Sequence, residues 1–284
     1  MESNRNIKVK LFTGKKNRIT LSNGCVKVEK LQGINCREAT FVPKEPWLEI
    51  NSDCYKSLKR KGVMKKNDVA IIKLPKNVIK DLKNLGLERC INFKDIEFIQ
   101  NTNNYQIAQN KLDIFLSKIN TDLKVPIEKH NIFFGKSNLK NTTYNSKEKV
   151  YIGMHLDSWE NENLSERHLS RNRICINLGQ DKRFLMFYNI SIQQMAKMIG
   201  KDIDSNKFEI NSIFTEFAIL YPETEIYRIE IRPYEAYIAP TEFIIHDGSS
   251  INNAYFDVNL VFRGHFLVKN NFISKLAMKL NLTK

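Results

Sequence analysis

Long apolar runs are what this 284-residue chain most plainly lacks. No stretch of about 18 apolar residues is present to cross a bilayer. The opening MESNRNIKVK is polar where a secretory leader needs an apolar segment, so a cytoplasmic location without a membrane partner is expected. Cysteine is sparse and odd in number: Cys25, Cys36, Cys54, Cys90 and Cys175 are scattered and form no C-x-x-C pair. That pattern speaks against a disulfide framework and a zinc ribbon, and the thiols read as reduced packing residues. There is no Gly/Ser linker, internal repeat or low-complexity tract, hence no visible domain boundary. Also missing are G-x-S-x-G, a P-loop, G-x-G-x-x-G and H-E-x-x-H, which removes the common hydrolase, nucleotide-binding and zincin signatures.

Negative charge is the scarcer sign, with 31 Asp and Glu against 45 Lys and Arg, a formal net charge of +14. Such a balance favours anionic partners, and a non-catalytic nucleic-acid-binding protein is one alternative to keep. The lysines, however, are spread along the chain among many asparagines. Only KSLKRKGVMKKND (56–68) is a dense basic cluster, and it reads first as a solvated loop. An anionic small substrate or cosubstrate suits the same field, and nucleic acid is not favoured. Hydrophobic residues at 42% are enough for a packed core without disulfide staples.

The first third mixes short strands, IKVKLF and VAIIKLP, with amphipathic helices. PKNVIKDLKNLG has proline at a first helical position, Val78, Ile79, Leu82 and Leu85 at helical spacing, and Gly86 as a stop. YQIAQNKLDIFLSKINTDL carries Ile107, Leu112, Phe115, Leu116 and Ile119 on one stripe. From about residue 150 the chain turns to strands: KVYIGMHLD, RICINLG, RFLMFYN, IYRIEIRPYEAYIAP, EFIIHDG and FDVNLVFRGHF. A helical insertion over 190–222 interrupts them. The expected organisation is an N-terminal α/β region (1–128) packing on a strand-rich core (129–284).

Strand parity divides these segments into a greasy and a polar face. Tyr151, Gly153, His155 and Asp157 share one side; Arg173, Cys175 and Asn177 oppose Ile174, Ile176 and Leu178; Asp257, Asn259, Val261, Arg263 and His265 oppose Val258, Leu260, Phe262 and Phe266. Either the polar face meets water while the greasy face packs on helices, or the sheet curls so that the polar face lines a cavity.

GMHLDSWEN (153–161) holds His155 and Asp157 two positions apart at a strand end, and APTEFIIH ends on His246 after an apolar strand preceded by proline. This H-x-D pair with a distant histidine resembles the facial triad of Fe(II)- and 2-oxoglutarate-dependent dioxygenases. Two neutral imidazoles and one carboxylate hold one face of an octahedral Fe(II) and leave three positions open. The resemblance spans roughly residues 150–266. It implies an α+β protein whose core is a double-stranded β-helix, the jelly-roll of cupin-like proteins, with flanking helices. It implies His155, Asp157 and His246 as metal ligands and an arginine on a later strand, Arg263, as the contact for the far carboxylate of 2-oxoglutarate. The interval from His246 to Arg263 is longer than usual for that family, which leaves Arg232 and Arg173 open as the anchor. Arg173 and Asn177 are further cosubstrate-facing candidates, and Trp159 and Tyr151 are substrate-facing ones. His130 and His168 read as surface residues, and His265 as a residue that could enter the pocket.

By the same resemblance, a carboxylate at Asp157 rather than a small residue implies hydroxylation rather than halogenation. The expected substrate is a small molecule, amino acid or peptide-derived intermediate. A cupin-type metalloenzyme that does not use 2-oxoglutarate is the nearest alternative. Oligomeric state is not legible from the sequence.

Overall fold

The computed structural model describes residues 8–204 and 210–268. The stretches 1–7, 205–209 and 269–284, which belong to both expected regions and to the expected insertion, lie outside the described residues. The protein is α+β. Two sheets are assembled from β1 (Leu11–Thr13), β2 (Ile19–Ser22), β3 (Leu48–Glu49), β4 (Val69–Lys73), β5 (Glu128–Gly135), β6 (Asn172–Asn177), β7 (Arg183–Ser191), β8 (Ile226–Ile231), β9 (Glu235–Ala239), β10 (Ile244–Ser249) and β11 (Asp257–Gly264). A six-stranded sheet runs β1-β4-β9-β6-β11-β5 and a five-stranded sheet runs β10-β7-β8-β2-β3. All pairs are antiparallel except β1 with β4. Strands from the first third thus extend both sheets, and α1 (Ser52–Leu58) joins β3 to β4 along the chain.

From β6 onward the chain alternates between the two sheets, and only β7 and β8 are then successive members of the same one. The segment IYRIEIRPYEAYIAP, expected as one strand, is two: β8 ends at Ile231, Tyr234 takes a left-handed φ of 61°, and β9 starts in the other sheet. Pro233 has no N–H for a ladder and marks the break.

Packing follows the parity of the strands. Ile174, Ile176, Leu260 and Phe262, on the greasy face of the six-stranded sheet, are buried against α2 (Lys76–Asn84), α3 (Phe93–Gln100) and α4 (Asn103–Ile119). The opposite, more polar face looks at the second sheet, where Cys175, Tyr237 and Val261 meet Leu185, Phe187, Tyr227 and Ile244. The structure takes one feature from each arrangement parity allowed: the greasy face packs on helices, and the more polar face meets the other sheet instead of water. The outer face of the five-stranded sheet packs through Met186, Tyr188 and Ile245 on α5 (Ile192–Met198) and α6 (Ile210–Leu220).

The helices begin and end where local chemistry dictates. Asn92 and Asp95 form a capping box at α3, and Thr102 accepts from Tyr105 N–H at α4. Pro75 is the residue before α2 rather than its first helical position, and Gly86, at φ 69°, follows its last turn. The stripe on α4 runs through Tyr105, Ala108, Leu112, Phe115, Leu116 and Ile119, whereas Ile107 is exposed.

Phe262 is fully buried between the six-stranded sheet and the helices, while Phe98 on α3 is 75% exposed. Phe262→Ala should therefore lower the unfolding free energy by about 3–5 kcal/mol, and Phe98→Ala should change it by less than about 0.5 kcal/mol. Urea denaturation of the two variants measures both.

Candidate metal centre

The segment carrying the first two candidate ligands is a strand only at Val150–Tyr151. Gly153 takes a φ of 71°, and a Cβ there would lie 2.6 Å from the Phe41 carbonyl oxygen, so only glycine fits. This kink resets the alternation. Tyr151 ends up in a satellite cluster with Leu31 and Val42, not beside His155. Beyond the kink, Met154 and Leu156 turn to the outer core while His155 and Asp157 face the space between the sheets.

His155 then pairs with His246 as an antiparallel bridge. His155 N–H donates to the His246 carbonyl at 3.0 Å, and His246 N–H donates back at 2.8 Å. Asp157 N–H donates to Thr241 O at 3.0 Å. The backbone alone thus brings the early pair against the late histidine, with ring centroids 4.7 Å apart.

The donor atoms converge. One ligand atom from each of His155, Asp157 and His246 lies within 4.8 Å of the others, which could hold a metal ion. Nε2 of His155 is 3.6 Å from Asp157 Oδ1, and Nε2 of His246 is 3.7 Å from Asp157 Oδ2. The Nδ1 atoms face Gly153 O at 2.9 Å and Ile244 O at 3.2 Å. A carbonyl has no proton to give, so each Nδ1 must carry one, which leaves the Nε2 lone pairs for an ion. His246 Nε2 is buried without a hydrogen-bond partner, and Asp157 Oδ2 has only an ion pair, with Arg173. Buried polar atoms are rarely left so, and this donor set fits a divalent cation.

Electrostatics prepare the same atoms. Burial opposes ionisation of Asp157, but Arg173 and the two imidazoles outweigh it and hold the carboxyl well below its usual range. Burial pushes the pKa of His246 down to about 3, keeping it neutral. At His155 burial also disfavours the charged form, yet the Asp157 carboxylate prevails and the pKa lies above the ordinary histidine value. A metal would thus displace a proton from one ligand and find the other two ready.

The remaining candidates occupy distinct places. Arg173 lies against the triad, its Nη2 2.7 Å from Asp157 Oδ2 and its Nε buried without a hydrogen-bond partner. Arg263 sits opposite it on the neighbouring strand, also facing inward. Its guanidinium contacts Glu242 at 2.7 Å, Glu160 at 2.9 Å and Glu128 at 3.1 Å. Asn177 is at the far end of β6, where its amide donates to Asp181 O and Ile231 O and its oxygen accepts from Gly179 N–H, shaping a turn. Arg232 is a surface residue paired with Glu230. Trp159 is half-exposed, 5.6 Å from the Arg263 guanidinium and 5.0 Å, ring to ring, from His130.

His130 corrects its reading as a surface residue. Its side chain is only 14% exposed, its Nε2 is buried without a hydrogen-bond partner, and it feels the charges of Asp157, Arg173 and Arg263. His168 is partly buried, its ring against Ser165 O and Gln193. His265 has Lys66 and Asp122 among its charged neighbours rather than the triad.

Sequence reasoning also missed an ionic lattice next to the ligands. Arg167 Nη1 donates to Asp157 O at 3.1 Å and lies 3.4 Å from Glu242, which accepts from Glu160 N–H; Arg171 binds Glu160 and Glu128. Glu160 stands inside GMHLDSWEN and Glu242 inside APTEFIIH, so the two stretches that supply ligands also supply these carboxylates. Comparison with protein-family models, with curated proteins and with solved structures finds no match.

A divalent cation at about 100 times its Kd should raise the unfolding free energy of the wild type by about 2.7 kcal/mol. The rise should vanish in His246→Ala. Paired melts with and without the ion test this, and an equal gain in the variant would place the ion elsewhere.

Proposed function

We propose that this chain is an Fe(II)- and 2-oxoglutarate-dependent oxygenase, hydroxylating a small molecule, amino acid or peptide. One observation carries the reading: two imidazole nitrogens and a carboxylate, from segments far apart in the chain, converge across a single backbone bridge with their donor atoms facing one another. Three such donors are the facial set of non-haem Fe(II) centres. The alternation of β6 to β11 between facing sheets supports a double-stranded β-helix reading of the core.

With iron and the 2-oxo acid bound, such a centre couples oxidative decarboxylation to oxidation of a substrate C–H bond. The protein's share is placement and electrostatics. His155, Asp157 and His246 would hold the ion, and Arg173 keeps Asp157 ionised. Trp159 and His130 lie near them as aromatic wall residues suited to contact substrate. We assign the carboxylate contact to Arg173 in preference to Arg263, because Arg173 has a buried donor to spare and Arg263 is in contact with three carboxylates of the protein itself. That same occupation of Arg263 favours, as the second reading, a cupin-type metalloenzyme that does without 2-oxoglutarate.

Anaerobic addition of Fe(II) and then 2-oxoglutarate should produce the weak visible charge-transfer band of the chelate, and air should then yield succinate. Arg173→Met should weaken 2-oxoglutarate binding by about tenfold or more, while Arg263→Met should have a smaller effect. Folded, iron-loaded protein without the band or succinate would leave the cupin-type reading in its place.

A further inference from the structure

A second site lies on the opposite face of the five-stranded sheet. Tyr227, Phe187 and His246 point inward toward the other sheet, whereas Arg228 and Met186, paired across β8 and β7, point outward. There they form the floor of a cavity of about 230 Å³, walled by Val28, Leu31, Val42 and Trp47. The volume is below the roughly 300–1,000 Å³ of pockets for drug-sized ligands, so the occupant is small.

Arg228 is the unusual member. Its guanidinium carbon is 4.2 Å from the centre of the Trp47 ring and 4.8 Å from that of Phe184, so aromatic faces take up the planar surface of the cation. Its Nε donates to Thr20 Oγ1 at 3.0 Å. Of the five N–H groups of a guanidinium, the remaining four have no protein acceptor among the described residues. No carboxylate forms an ion pair with it there either.

The two lysines at the rim are engaged otherwise. Lys140 Nζ binds Glu45 at 2.9 Å and Lys44 Nζ binds Glu223 at 2.5 Å. Glu45 is the one carboxylate whose charge registers at Arg228, and it does not offset burial, which draws the Arg228 pKa down to about 10. A half-buried cation without a counter-ion carries an uncompensated desolvation cost. An anion entering this cavity would remove it.

We propose that this cavity binds a small monocarboxylate with an apolar body, its carboxylate on the free edge of Arg228 and its body against Val42, Leu31 and Met186. The planar fork of arginine matches a carboxylate bidentately. The Glu45 carboxylate in the lining disfavours a multiply charged anion such as phosphate, and the mostly apolar walls favour an occupant with an apolar body. The site is independent of the metal centre and of any reading of it, because the two lie on opposite faces of one sheet.

Calorimetric titration of the wild-type protein with cyclohexanecarboxylate is the direct test. Saturable binding is expected, with the neutral isostere cyclohexanemethanol about tenfold weaker or worse, and with inorganic phosphate failing to compete. Trp47 offers a second readout. The chain has two tryptophans, so in Trp159→Phe a fluorescence change on titration reports this cavity alone. Arg228→Gln should weaken the carboxylate by about tenfold, Arg228→Lys should retain part of the affinity, and Lys80→Gln, on the exposed side of α2, should leave it unchanged. Absence of saturable binding, or equal binding of the acid and the alcohol, would overturn the proposal, and so would competition by phosphate at matching affinity. These comparisons on the wild-type protein decide the matter even if a variant does not fold.

Discussion

The reciprocal pair of backbone hydrogen bonds between His155 and His246 is the constraint on which the site rests. It fixes two imidazoles side by side without using any side-chain donor, so both rings remain free to act. It is also a seam in the architecture. His155 follows the kink at Gly153, and His246 lies within β10 at the edge of the five-stranded sheet, so the bridge continues that sheet by one residue pair. The third donor follows from the next tie in the same ladder, Asp157 N–H to Thr241 O.

Everything behind the seam serves to keep it still. The sheet that carries His246 is packed on both faces, by the other sheet within and by α5 and α6 without. Met154 and Leu156, the residues on either side of His155, are anchored in the outer core. Alternation along three residues therefore does two jobs, one face gripping hydrophobic neighbours and the other presenting ligands. A protein interior packed at crystal-like density transmits little slack to such a site.

Much of this was legible in the sequence, for physical reasons. Strands β6, β7, β10 and β11 were visible because period-two alternation is forced by burial of one face, and the candidate ligand cluster because H-x-D places two donors on one side of an extended segment and, with a distant histidine, resembles a known facial triad. Tyr151 was misplaced because a left-handed glycine interrupts alternation, and nothing in the letters around Gly153 announces the nearby Phe41 carbonyl that requires it. His130 was misread because its nearest neighbours in the sequence, Glu128, Lys129 and Asn131, are all polar. A register irregularity against β11 turns Glu128 and His130 inward while Ile132 faces the helices, and that depends on a partner strand more than a hundred residues away. Arg263 was correctly seen to face inward, but its three carboxylate neighbours come from separate segments that only the folded chain assembles.

The lattice around the ligands balances itself: Arg167, Arg171 and Arg263 stand among Glu128, Glu160 and Glu242. In a chain of net charge +14, the excess is therefore carried elsewhere, mostly by solvated lysines. Counter-ions at physiological ionic strength screen such charges beyond about 8 Å. Added salt would accordingly slow the arrival of an anionic visitor, yet hardly alter how long it stays once it has reached the neutral interior.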